Sequence, residues 1–143
     1  MYNIEEILNM LDWYMPPEIQ ARGIYLAKRS EEIIPYIQPL TPKHNKNTWD
    51  NCAIIISEKS DNEIKPYLVD LIEWLQDMNW PGAFCILNRL IQYTDDDSIS
   101  NAISICRIKA KDCNDRIWEC NISDLVNKRE KEKGQGDGLR EPF

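Results

Sequence analysis

The stretch that most constrains the fold is Asp70 to Tyr93, DLIEWLQDMNWPGAFCILNRLIQY. It reads as a helix, a tight corner and a second helix. Ile64, Leu68, Leu71, Ile72 and Leu75 recur at helical spacing before the corner, and Ala83, Ile86, Leu87, Leu90 and Ile91 after it. Between them, Asn79 has the chemistry of an N-cap, and Pro81 falls where a first helical turn has no use for its N–H. A lone helical pair cannot bury both apolar faces, so this one must stack on neighbours.

The flanking sequence supplies them. Asn3 is placed to cap a helix with the stripe Ile4, Ile7, Leu8, Leu11 and Met15, and Pro16-Pro17-Glu18 ends it and starts the next. Ile19, Gly23, Leu26 and Ala27 face inward there, and SEEIIPYIQPL follows from Ser30. Gln38–Asn47 is a polar loop, and Thr48 precedes a helix carrying Trp49, Cys52, Ala53 and Ile56. Ser60 and Glu63 make a capping box, and Pro66 predicts a kink or delayed start. Thr94–Ser98 is a connector before Ile99, Ala102, Ile103 and Cys106; a last helix from about Asp115 to Lys128 carries Trp118, Ile122, Leu125 and Val126.

No segment alternates with period two, so the expected class is all-α: antiparallel helical hairpins stacked as a short HEAT-like repeat array. An internal echo supports a repeat. PYIQPL at 35–40 returns as PYLVDL at 66–71, and Trp49 returns as Trp80, both 31 residues on; HEAT units run somewhat longer, about 40–47 residues. Residues 1–128 form the expected single domain. Residues 129–143, REKEKGQGDGLREPF, lose apolar periodicity and are expected as a flexible charged tail.

Charge narrows the function. Net charge is −7, which disfavours nucleic acid and anionic lipid as partners. Residues 1–127 hold 20 acids against 12 bases, or −8, which suits a basic partner and equally suits solubility. The acidic N-terminus argues against a signal peptide, and the longest wholly apolar run, Ala53–Ile56, is too short to cross a bilayer; a cytoplasmic protein is expected. Five cysteines without a C-x-x-C pair, and His44 as the one histidine, point to core packing rather than a metal or disulfide framework. No nucleophile elbow, Walker loop, dinucleotide fingerprint or H-E-x-x-H occurs, so no enzymatic activity and no cofactor are expected.

The residues singled out for partner binding are Glu63, Asp70, Glu73, Trp74 and Asp77. The acids share a helical face without Lys or Arg at i+4, and Trp74 at its edge would be an aromatic anchor. A structural reading stands beside this one. Trp74 then belongs to the core, and Asp77 accepts backbone N–H groups in the Asp77–Trp80 corner.

EWLQDMNWPGA at 73–83, with KSD at 59–61 and WDNCA at 49–53, resembles a family of short bacterial proteins described only as a domain of unknown function. The resemblance spans roughly Met10 to Tyr93 and implies a small HEAT-type helical-repeat protein. By association with neighbours of this kind, it implies an immunity protein that binds a basic toxin domain, a nuclease among the candidates, of a contact-dependent or similar system. The alternative is a housekeeping helical scaffold or regulator with no toxin. Oligomeric state has no signal in the sequence.

Overall fold

The computed structural model describes residues 2–39 and 46–138, the side chains of 134–138 excepted. It is all-helical, with no strand among the described residues. The α-helices are α1 (Ile4–Met10), α2 (Pro17–Lys28), α3 (Trp49–Ser57), α4 (Asp61–Ile64), α5 (Leu68–Glu73), α6 (Ala83–Ile91), α7 (Asp96–Asp112) and α8 (Arg116–Gly138). None is long and apolar enough to cross a membrane. His44 and most of the polar loop lie outside the described residues.

Helix starts follow local chemistry. The Asn3 side chain accepts the Glu6 N–H at 2.8 Å, Ser60 and Glu63 close their capping box, and Asp95 accepts from Ser98. Pro17 stands at the head of α2. Pro66 produces the expected break: a 3₁₀ turn, Lys65–Tyr67, separates α4 from α5, since Pro has no N–H to continue the ladder.

One core runs through the chain, from Ile7 and Leu11 to Ile122 and Leu125. Sequential neighbours α1, α2 and α3 pack in turn; beyond them α3 packs on α6, α6 on α8, α5 on α7 and α7 on α8. Cys52 and Cys106 are fully buried, Cys85 partly so, and Cys113 and Cys120 are exposed.

The corner differs from the sequence expectation. Neither Asn79 nor Pro81 starts α6. Asp77 accepts the Asn79 N–H on its carboxylate and the Trp80 N–H on its carbonyl, which closes a turn first. The helix then begins at Ala83, after Gly82 at φ +82°. A Cβ on Gly82 would lie 2.7 Å from the Ala53 Cβ and 2.8 Å from the Trp49 carbonyl oxygen, so close passage and left-handed backbone both call for glycine. Trp74 fills this corner completely, donating its indole N–H to the Pro81 carbonyl at 3.0 Å, while Trp80 is only half-buried. Trp49 stands edge-on to both rings, with centroids 5.9 Å from Trp74 and 5.4 Å from Trp80. Met15, expected on the inner stripe of the first helix, is exposed beyond its end.

The tail also differs. α8 passes Lys128 without interruption and continues to Gly138. Its anchor is a charged residue, which apolar periodicity cannot register. Arg129 is 9% exposed and donates to the carbonyls of Leu90, Ile91 and Tyr93 at 2.8, 3.2 and 2.7 Å, capping the end of α6. Asp96 receives both Arg129 and Lys133. Residues 139–143 lie outside the described residues.

Two measurements check this packing. Trp74→Ala should cost about 3–5 kcal/mol in urea melts, and Trp80→Ala less, because that side chain is only partly buried at the edge of the core. Truncation after Lys128 should lower stability by about 1–3 kcal/mol, since the end of α6 loses its donor; a dispensable tail would leave the melt unchanged.

Candidate functional site

Asp70 and Glu73 of the acidic stripe are built into a seam, while Glu63 on α4 stays exposed. α5 packs on α7, and Lys109 of α7 forms an ion pair with Glu73. The cation that is missing at i+4 therefore arrives from another helix. Asp70 is half-buried beside this pair; burial first, and then the Glu73 charge, push its carboxyl up, with Lys109 offsetting part. Glu63 is held by its capping box: the Ser60 N–H, 3.0 Å from its carboxylate, draws its pKa down. Asp77 serves the turn described above. Trp74 is 0% exposed, so it cannot be a surface anchor. Four of the five chosen residues thus hold local structure, and Asp70 lines the same seam.

Other acids on the middle helices are similarly occupied. Asp61 receives Arg89 at 2.6 Å and the Thr94 hydroxyl and N–H at 2.6 and 3.0 Å. Burial opposes its ionisation, but these hydrogen bonds outweigh burial and hold the carboxyl below its ordinary range. Asp95 caps α7, and Asp96 ties the start of α7 to Arg129 and Lys133 of α8. A groove of about 240 Å³ between α7 and α8 is lined by Ser100, Arg107, Arg129 and Lys133, two of which are committed to Asp96.

Three of the five cysteines are poorly placed for nucleophilic chemistry. Burial pushes the Cys52 and Cys106 thiols up to about 12, and Cys85 also upward, so all three are neutral thiols packed in or against the core. Among the described residues, no group of three His, Cys, Asp or Glu side chains could hold a metal ion.

The most unusual exposure lies elsewhere, in the α1–α2 connection. Trp13, Tyr14 and Met15 are 41%, 82% and 38% exposed in consecutive positions. The loop is nevertheless held at every turn. Trp13 N–H donates to the Asn47 carbonyl at 3.1 Å, Tyr14 N–H to the Asp12 carboxylate at 2.9 Å, and Met15 N–H to the Asp12 carbonyl at 2.9 Å. From below, Gln20 donates to the Trp13 and Met15 carbonyls at 3.1 and 2.7 Å. Asn51, 7% exposed, donates to the Leu11 carbonyl at 2.7 Å and to the Gln20 side-chain oxygen at 2.9 Å. Apolar spacing places Met15 on a core stripe and gives no signal for Trp13 or Tyr14. The available signal was WYM immediately before Pro16-Pro17, where the residue preceding proline is disfavoured in helical backbone.

Asp61 offers a pH test of the polar frame. Its folded pKa is depressed, so its stabilisation is complete above the ordinary carboxylate range and is lost as pH falls through the lower folded value. Asp61→Asn should therefore cost about 1–3 kcal/mol at neutral pH. Urea melts at lower pH should show the gap to the parent closing below about pH 4.

No curated protein and no solved structure matches this chain significantly. One family does: DUF5071, described as a domain of unknown function, matches residues 40–142. That stretch holds the Trp49–Trp74–Trp80 corner and all of α3 to α8, leaving the aromatic loop outside it. The chain belongs to the DUF5071 family.

Proposed function

We propose that this chain is a non-catalytic protein-binding module of the immunity type, which holds and neutralises a basic toxin domain on a HEAT-like helical array. The proposed partner is a basic nuclease domain of a contact-dependent growth-inhibition or similar system. The observation that carries the reading is the acid surplus, 20 acids against 12 bases over residues 1–127. Ion pairs within the fold absorb Glu58, Asp61, Glu73, Asp95 and Asp96. Residues 1–29 carry Glu5, Glu6, Asp12 and Glu18 against Arg22, Lys28 and Arg29, and among the described residues Glu6, Asp12 and Glu18 at the α1–α2 end enter none of these ion pairs. A field of that sign speeds encounter with a basic protein and repels nucleic acid.

The HEAT-like part of the reading draws on packing order. Alternate helices stack, α3 on α6 on α8 in one layer and α5 on α7 in the other. The sequence echo has a structural counterpart, since Pro35-Tyr36 and Pro66-Tyr67 both sit in 3₁₀ turns. A series of helix-end contacts repeats at a similar interval: Lys59 reaches the Lys28 carbonyl, and Arg89 reaches the Lys59 carbonyl.

The test is association kinetics with the C-terminal domain of a large secreted protein encoded beside this one. Glu6→Lys with Glu18→Lys should slow association about tenfold at low salt. The difference should fade at 1 M salt, where the Debye length drops from about 10 to about 3 Å. Equal rates for parent and variant at low salt would remove charge as the basis of recognition.

A further inference from the structure

We infer that the Trp13–Met15 loop is the docking surface for an arginine-bearing face of a basic protein, with guanidinium groups seated on the Trp13 and Tyr14 rings. The inference rests on the protein-binding reading above and adds to it a location and a recognition chemistry. Three observations converge on it.

The first is exposure without slack. Three consecutive large side chains face solvent, yet each of their N–H groups is hydrogen-bonded, and two of their carbonyls are held by Gln20, itself braced by buried Asn51. Loops that merely connect helices do not need such a frame. Aromatic anchors do, because a surface ordered in advance loses little conformational entropy on binding.

The second is what this end of the molecule does with its other exposed rings. Arg22 lies over the Tyr2 ring at 5.5 Å, and Arg29 lies over the Tyr25 ring at 5.4 Å. Cation-on-ring packing thus recurs, by guanidinium in these two cases and by Lys46 over the Trp49 and Trp80 rings. Among the described residues, no cation covers Trp13 or Tyr14; their rings meet each other edge to face at 6.4 Å. Trp is the best of the aromatic faces for a cation, and Arg its commonest partner.

The third is charge. Asp12 lies just before the two rings and Glu18 just beyond the loop, and residues 11–21 carry these two acids and no Lys or Arg. Arginine satisfies both demands, a flat face for the ring and a positive charge for the carboxylates.

Calorimetric titration of the full chain with an octa-arginine peptide at low salt tests this. Trp13→Ala with Tyr14→Ala should weaken binding at least about tenfold, the sum of two modest ring contacts. Trp13→Phe with Tyr14→Phe should fall between that variant and the parent. Glu73→Gln, in the α5–α7 seam, should bind as the parent does. If parent and double-alanine variant bind equally, the cationic peptide sits elsewhere and the inference is overturned, while the basic-partner reading stands or falls on its own kinetics. If the parent does not bind the peptide, the loop does not take arginine, and the inference is again overturned.

Discussion

The structure depends on one recurring interaction, the capping of helix C-terminal carbonyls by side-chain donors from much later in the chain. Every helix leaves its last carbonyls without partners, and burying them unpaired costs about 1–3 kcal/mol each. Here Asn51 reaches the Leu11 carbonyl beyond α1, and Lys59 reaches the Lys28 and Ser30 carbonyls at the end of α2. Arg89 takes the Lys59 carbonyl after α3, and Trp118 and Asn121 take Ile72 and Leu75 at the end of the α5 arm. Arg129 closes α6. Each donor ties the end of one helix to an element that packs later, so the apolar stack and the polar frame assemble together.

The same frame explains where the acids go. A buried or half-buried cation needs a counter-charge, and the nearest acids supply it: Asp61 for Arg89, Asp96 for Arg129, and Glu63 near Lys59. These carboxylates belong to the joints of the fold. The acid surplus that can act at a distance is what the joints do not use, and Glu6, Asp12 and Glu18 at the α1–α2 end belong to it.

Asn51 links that end to the core. Its amide caps α1 with one contact and braces Gln20 with the other, and Gln20 in turn holds the Trp13 and Met15 carbonyls. The loop that carries the most exposed aromatic groups is therefore an extension of the capping frame. Its rigidity comes from the stack beneath it, which includes the family-matched α3 helix.

Much of the fold was legible in the sequence, for a physical reason. Helix starts are local: Asn3, Ser60 with Glu63, and Asp95 each bond an N–H three residues on, and apolar spacing marks the inward face of each helix. All-α architecture, the break at Pro66 and the buried faces of α3, α6 and α7 follow from those signals. Helix ends and partners were not legible, because they are settled by residues 29 to 46 positions away. That distance is why α8 continues past Lys128, and why Glu73 meets Lys109 instead of presenting a bare charge. It is also why WLQDMNWPGA could be seen as a helical corner while Trp74 stayed open between surface anchor and core. Only the tertiary structure decided that Trp74 enters the core and Trp80 remains at its edge, since that depends on Ala53 and Trp49 leaving room for Gly82 to pass.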